Sequence, residues 1–312
     1  MDLEEAKRRC LEVLTSIKPD QVSALVDYLS ETVRDVKPVD NQRIAAVKKL
    51  QNISRKLRHK TDISGNLPGE KIFWPVSGSF SDCAIDLTEQ VDAFLYDEVQ
   101  LAALREKRVL KAERYCAVCK SEDIVESNII SHSLSISELE YLFCDLLPRF
   151  VEMKGKSLTD VGSRLGAIVY GALVFCPELK EIKGIEISEG HCQLQMEILN
   201  GVDFEKKTKI LKGDFRLFED DLKNSNIITM NNVFSFFLDP NEQVKCWNEL
   251  KRILPSGAIL VHNHSIDYVT NHLNLGFEIE DWVDVVFPDH HVYAYMDDED
   301  DSEHKFFVYQ IK

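Results

Sequence analysis

From residue 157 onward the chain repeats one pattern, in which a short apolar run is followed by a turn and a stretch with helical periodicity. The apolar runs fall at 157–161, 182–187, 208–212, 226–231 and 257–262. A strand followed by a helix cannot return through a tight turn. The helix carries the chain back across the sheet, so successive strands run parallel and helices cover both faces. Two further runs, 283–296 and 305–311, have only the acidic stretch Asp297-Asp-Glu-Asp-Asp-Ser-Glu303 between them. They are expected to pair as an antiparallel hairpin at one edge, with the acids as a solvated tip that discourages edge-to-edge association. The expected fold is therefore α/β, a doubly wound and mostly parallel seven-stranded sheet ending in an antiparallel hairpin.

The residues before this pattern read differently. Leu3, Ala6, Cys10, Leu14 and Ile17 share a helical face until Pro19 stops it, and Asp20 can cap a second helix carrying Val22, Leu25, Val26, Leu29 and Val33. Asp40 can cap a third, with Ile44, Val47 and Leu57. Residues 1–60 are thus expected to form an α-helical accessory region. From 61 to 82, Gly, Pro and Ser surround Phe73-Trp74-Pro75, as in a linker or an irregular segment docked through its aromatics. Helical spacing returns over 88–112 through Val91, Phe94, Leu95, Val99, Ala102 and Val109, ahead of a Cys116-x-x-Cys119 turn, so 61–134 reads as a linker and helical segment. Ser135 and Glu138 form a capping box that opens a helix bearing Ile136, Leu139, Leu142, Phe143 and Leu146 and ending near Pro148, which starts the main domain, 135–312.

A net charge of −16 disfavours broad attraction to nucleic acid or anionic membrane and suits a basic partner. The one local exception is the patch 43–60, where Arg43, Lys48, Lys49, Arg55, Lys56, Arg58 and Lys60 occur with no acid among them. A solvated helix face explains it, and contact with nucleic acid or an acidic partner is the alternative. The start of the chain lacks a basic-then-apolar plan, and the apolar run 165–176 is too short to span a bilayer, so a soluble cytoplasmic or nuclear protein is expected. Eight scattered cysteines fit reduced thiols. Cys116 and Cys119 could supply half of a zinc site if Cys83, His132 or Cys144 came near, but a single pair gives no metal assignment.

The carboxyl ends of the expected strands carry the chemistry, because open α/β sheets bind ligands at that edge. The first ends in Leu158-Thr-Asp-Val-Gly-Ser-Arg-Leu-Gly-Ala167, where Gly162 and Gly166 permit a sharp turn and Asp160 places a carboxylate that a phosphate-binding loop would avoid. The second ends in Gly184-Ile-Glu-Ile187, whose Glu186 can accept from two ribose hydroxyls. Asp214 and Phe215 follow the third, an acid and a ring suited to an adenine. Asn231-Asn-Val-Phe-Ser-Phe-Phe237 leaves the fourth.

Asp160-Val-Gly-Ser-Arg-Leu-Gly166, Gly184-Ile-Glu186, Gly213-Asp-Phe215 and Asn231-Asn-Val-Phe234 resemble the corresponding segments of Rossmann-like class I S-adenosylmethionine (SAM) dependent methyltransferases. Within them they are similar to the non-SET histone lysine methyltransferases of the disruptor-of-telomeric-silencing type. The likeness covers about residues 135–312 and implies SAM as cofactor. It implies that Asp160, Gly162 and Gly166 line the methionine side, that Glu186 binds ribose, that Asp214 and Phe215 hold adenine, and that Asn231 lies beside the sulfonium. Ser163, Arg164 and Ile187 belong to the same cofactor-binding segments. Arg164 departs from the pattern, standing where many such loops have another glycine, so it is expected either to turn to solvent or to lie against the ligand. The chain ends at its last strand, leaving no counterpart of the basic segment that follows the catalytic domain in the histone enzymes, so nucleosome binding is not expected.

Methyl transfer from an activated sulfonium needs alignment and exclusion of water more than a nucleophilic side chain. Asn231 and Asn232 could orient a nitrogen, Phe234, Phe236 and Phe237 could wall a channel unless one of them, Phe237 foremost, belongs to the core, and His262 or His264 could accept a proton or serve a structural hydrogen bond. His290 and His291 beside Asp289 read as a surface turn. The leading expectation is a methyltransferase acting on a protein or other macromolecule. A small-molecule methyltransferase and a noncatalytic methyltransferase-like interaction module are the alternatives. A dehydrogenase is disfavoured because Gly162-x-x-x-Gly166 is not its GxGxxG pattern.

Overall fold

The computed structural model describes residues 41–68, 70, 72–83, 88–112, 114–116, 118–121, 128–200, 207–287 and 306–312, with Val13, Lys18 and Leu25. The expected helices over 2–33, the Asp40 cap, the acidic tip and His290 and His291 lie outside the described residues. The chain divides into two compact units, residues 1–45 and 46–312, and everything that follows concerns the second.

Helix α1 (Asn41–Arg58) enters this unit at Ala46 and buries Leu50, Ile53 and Leu57 one or two turns apart, leaving Lys48, Lys49, Arg55 and Lys56 outward. Residues 88–112 are not one helix. They begin as a three-residue strand β1 (Thr88–Gln90), turn through Asp92, and become helical only in α2 (Glu98–Glu106). Two local hydrogen-bond sets override the apolar spacing. The Asp92 carboxylate accepts from the Phe94 and Leu95 N–H groups, which tucks both side chains into the core from a turn. Asp97 and Gln100 form a capping box that fixes where the helix starts. Val99, expected on the apolar face, is 79% exposed. Strand β2 (Asn128–Ile130) pairs parallel with β1 in a two-stranded sheet that the sequence pattern did not suggest. The Ser135–Glu138 capping box is present and opens α3 (Ile136–Glu140), which continues as a π turn (Tyr141–Leu146) and a 3-10 turn (Leu147–Arg149) holding Pro148.

The main sheet then follows in alternating order: β3 (Ser157–Val161), α4 (Ala167–Phe175), β4 (Glu181–Glu186), α5 (Glu189–Asn200), β5 (Thr208–Lys212), α6 (Glu219–Lys223), β6 (Ile227–Met230), α7 (Pro240–Ile253), β7 (Ile259–Asn263), α8 (Ile266–Thr270), β8 (Val283–Phe287) and β9 (Phe306–Ile311). Its seven strands run in the order β5-β4-β3-β6-β7-β9-β8. β3 to β7 are mutually parallel, while β9 is antiparallel to both β7 and β8, so the last strand inserts between β7 and the edge. The doubly wound sheet with its terminal antiparallel pair is thus observed. Strand β8 is described only to Phe287 of the expected 283–296 run.

The sheet separates two apolar clusters. One joins Leu50 and Leu57 of α1 and Phe94 of the Asp92 turn to Val169 and Tyr170 of α4. The other gathers Phe215, Phe234, Trp247, Leu250 and Trp282. Strand order reverses direction between β3 and β6, a switch point that opens a crevice at the carboxyl ends of the strands. Among the described residues no helix is long and apolar enough to cross a membrane.

Candidate functional site

The loop after β3 is tied to the end of β4. Gly162 and Ser163 both donate to the Ile185 carbonyl, at 2.9 and 3.0 Å, and the Arg164 N–H donates to Glu186 Oε2 at 2.7 Å. The Ser188 N–H takes the other oxygen, Glu186 Oε1, at 2.7 Å. From α5, Gln195 Nε2 donates to the Arg164 carbonyl at 2.8 Å and to Ser163 Oγ at 3.0 Å. Ser163 therefore faces the sheet and α5, pressed where a Cβ on Gly184 would come within 2.8 Å of its Oγ.

Arg164 neither reaches solvent nor is left to lie against a ligand. It is 5% exposed, with φ of 45°, and its guanidinium points into the segments before the main domain. Nε donates to Glu70 Oε1 at 3.1 Å, Nη1 to Asp92 Oδ2 at 3.0 Å, and Nη2 to the Ser64 carbonyl at 3.0 Å and Asn66 Oδ1 at 2.6 Å. Asp92 Oδ2 also accepts from Ser133 Oγ at 2.6 Å. Burial holds the Asp92 carboxyl above the usual carboxylate range, against the pull of Arg164, Ser133 and the two backbone donors. The positive φ costs an L-residue about 1–2 kcal/mol, which so many hydrogen bonds readily offset.

Asp160 closes β3 inside the sheet edge, accepting from Thr229 Oγ1 at 2.8 Å. Burial pushes its carboxyl up to about 8, Thr229 opposes this, and Glu186 adds to it. Because the folded value lies above the ordinary 3.8, the unfolded chain ionises first as pH rises. Asp160 therefore contributes stability that is full below about pH 4 and is lost as pH climbs toward 8. We expect the melting temperature of wild-type protein to fall between pH 5 and pH 8 relative to Asp160→Asn, which keeps the Thr229 acceptor and cannot ionise. Parallel curves for the two proteins would rule out an elevated Asp160.

The adenine-side residues divide. Ile187 and Leu217 stand 70% and 75% exposed beside Glu186 and Asp214, apolar side chains at a ligand-binding edge. Phe215 is buried, its ring 6.0 Å from that of Phe234. Arg216 holds Asp214 through Nε to Oδ1 at 2.9 Å and Nη2 to Oδ2 at 2.6 Å, keeping the carboxyl below its usual range.

A cleft of about 2040 Å³ runs from the exposed side of α1 past Phe94 and Ser133 to Asn231, Asn232, Asn263 and His264. Asp160, Glu186 and Asp214 do not line it, so the carboxylate side and the asparagine side meet only across the loops after β3 and β6. Asn231 Nδ2 donates to the His132 carbonyl at 3.0 Å, and Asn232, at φ of 48°, accepts from Ser235 Oγ at 2.7 Å. Of the three phenylalanines, Phe236 borders the cleft, and Phe234 rather than Phe237 is the core member, edge-on to Trp247 at 5.3 Å. Phe237 packs against His132 at 5.1 Å. His262 is a core residue as well, with Nδ1 on the His264 carbonyl at 3.1 Å and its ring 5.5 Å from Trp247. Burial brings it down to about 4, which makes it a weak base, and it does not line the cleft.

Cys116 and Cys119 form a tight turn in which Lys120, at φ of 62°, donates to the Cys116 carbonyl at 2.8 Å. Hydrogen bonds from Ser121 and Cys116 bring the exposed Cys119 thiol down to about 7. No third histidine, cysteine or acid joins them as a metal ligand among the described residues.

No protein-family model matches the chain, and no curated protein does. Among solved structures it is similar to an RNA methyltransferase of Salinibacter ruber in complex with S-adenosylhomocysteine, at 20% identity over 50% of this chain and 80% of that one, with a TM-score of 0.32. It is also similar to a precorrin-6y C5,15-methyltransferase of Geobacter metallireducens, at 14% identity over 53% and 85%, TM-score 0.35. An arsenic(III) SAM methyltransferase of Chlamydomonas reinhardtii matches at 16% identity over 36% and 39%, TM-score 0.30. The chain spans about half or less of several of the structures it matches.

Proposed function

We propose that the protein is a SAM-dependent methyltransferase that modifies a macromolecule, as a protein or another polymer. The observation that carries this reading is the order of groups along one sheet edge. Asp214, Glu186, Asp160 and Asn231 stand at or just past the carboxyl ends of four consecutive neighbouring strands, β5, β4, β3 and β6, on both sides of the switch point. Glu186 spends one lone pair of each oxygen on a backbone N–H, and each oxygen retains another for a ribose hydroxyl. Ile187 and Leu217 offer apolar cover for a base. SAM bound there would supply a methyl group already activated for transfer. The chain's own part is to hold the two asparagines in place and to keep water from the reacting atoms.

The preference for a large acceptor rests on the cleft. Its volume, about 2040 Å³, exceeds the roughly 300–1,000 Å³ of ordinary small-molecule pockets. Among the described residues it is lined by five basic ones, Lys48, Arg55, Arg58, Arg105 and Arg114, and five acidic ones, Asp82, Asp97, Glu98, Glu138 and Glu140. A lining of mixed sign selects a partner by shape and local pairing rather than by net charge, so a basic protein remains a proposal from the overall charge of −16 alone.

One observation favours a noncatalytic scaffold: both oxygens of Asp214 are already held by Arg216. A thermal-shift titration separates the two. At about 100 times its dissociation constant SAM stabilises a binding protein by roughly 2.7 kcal/mol, so it should raise the melting temperature while NAD should not. Glu186→Gln should abolish the shift and remain folded. Wild-type protein that ignores millimolar SAM would leave the scaffold as the surviving reading.

A further inference from the structure

Asn231 and Asn263 stand side by side, each just past Met230 and His262, the last residues at which β6 and β7 pair with each other. Their amides form a chain whose direction is fixed by a backbone group. The His132 carbonyl can only accept, so Asn231 presents Nδ2 to it, at 3.0 Å. That turns Asn231 Oδ1 toward Asn263, which must present its own Nδ2, at 2.6 Å. Asn263 Oδ1 is left over. It is buried and has no partner among the described residues, although both asparagines line the large cleft.

Aromatic rings wall this end of the cleft. Phe80 lies 5.2 Å from Phe236, 5.3 Å from His264 and 5.6 Å from Tyr268. His132 packs edge-on to Phe236 at 5.4 Å, and burial together with Arg164 keeps its ring neutral at physiological pH. A buried carbonyl oxygen without a donor, in a cleft that these rings also line, suits a group that carries N–H bonds and tolerates or prefers positive charge.

We propose that Asn263 is the substrate-binding residue that selects the methyl acceptor: its Oδ1 receives the N–H of an amine, while Asn231 and His132 keep the amide from flipping. The inference rests on the methyltransferase reading and adds a residue and a recognition chemistry to it.

Two cofactor analogues test it without knowledge of the natural acceptor. Sinefungin carries an amine in place of the transferable methyl group, and S-adenosylhomocysteine carries neither. Calorimetric titration of wild-type protein should give sinefungin the tighter binding, by roughly tenfold or more for a hydrogen bond to a charged donor. Asn263→Leu should erase that preference and leave the affinity for S-adenosylhomocysteine, the control for an intact fold, unchanged. An unaltered ratio in Asn263→Leu would overturn the role of Asn263. Failure of both analogues to bind wild-type protein would overturn the methyltransferase reading itself, and the inference with it.

Discussion

Arg164→Leu should unfold in urea with a stability lower than wild type by about 3–5 kcal/mol, the cost of removing one partner from a buried ion pair. The size of the effect follows from what the leucine strands. Asp92 is 0% exposed and would keep two backbone donors and Ser133 but lose its only counter-charge among them. Glu70, Asn66 and the Ser64 carbonyl would lose their common donor in the same step. Arg164→Lys should be nearly as damaging, because one ammonium cannot reach a fork of acceptors set in three directions.

The cause can be isolated. Asp92→Asn removes the buried charge, so the double variant Arg164→Leu/Asp92→Asn should be less destabilised than the sum of its single variants, by about 1–3 kcal/mol of coupling. The pH dependence has a definite sign. The folded-state pKa of Asp92, already raised by burial, rises further once Arg164 is gone. The deficit of Arg164→Leu should then be smallest in acid and widen as pH rises, with the double variant showing no such widening. A deficit below about 1 kcal/mol, independent of pH, would mean that the pair is no better than a surface ion pair. The same network couples stability to the proposed site, since Arg164 binds Glu186 through its backbone and residues 64–70 through its side chain. Segment 64–67 is in turn packed on α5, with the Gly65 carbonyl 3.2 Å from His191 Nε2 and Leu67 against Gly190.

This arginine marks where sequence reasoning stops. Five-residue strands such as β3 and β5 are readable because apolar runs bounded by turn residues have few other uses, and their limits fall at 157–161 and 208–212 as the pattern indicates. A charged residue among loop glycines signals that something must neutralise it. The partners, however, are Asp92 and Glu70, 72 and 94 residues away, and nothing in the spacing of either segment points to Arg164. Asn263 was missed for a different reason. His262 has the residue type expected of a proton acceptor, but strand side chains alternate, and this alternation sends His262 into the Trp247 core and its neighbour to the cleft. Residues 88–112 fail as a helix because Asp92 accepts from the Phe94 and Leu95 N–H groups in a turn, and the distant Ser133 and Arg164 engage the same carboxylate. What composition and spacing resolve is the sheet; what they leave open is every contact made to the sheet from residues 61–134.

Gly162→Ala should lose about 2–5 kcal/mol and, with it, the SAM-induced rise in melting temperature. Two separate costs add. The residue sits at φ of 74°, where an alanine pays about 1–2 kcal/mol. Its Cβ would also come to 2.6 Å from Val233 Cγ1 and 2.9 Å from Cγ2, and relieving such overpacking costs typically 1–3 kcal/mol. The second cost is removable. Val233→Ala deletes both methyl groups, so Gly162→Ala/Val233→Ala should regain the steric part and keep only the backbone penalty. The distinction bears on function because Val233 follows Asn231 and Asn232, while Gly162 follows Asp160. The Gly162–Val233 contact is thus where the loop bearing the carboxylate side touches the loop bearing the asparagines. If that contact sets the spacing between the two halves of the site, the double variant should recover SAM binding along with most of its stability. Recovery of stability without recovery of the SAM shift would instead place the functional constraint in the backbone of Gly162 itself.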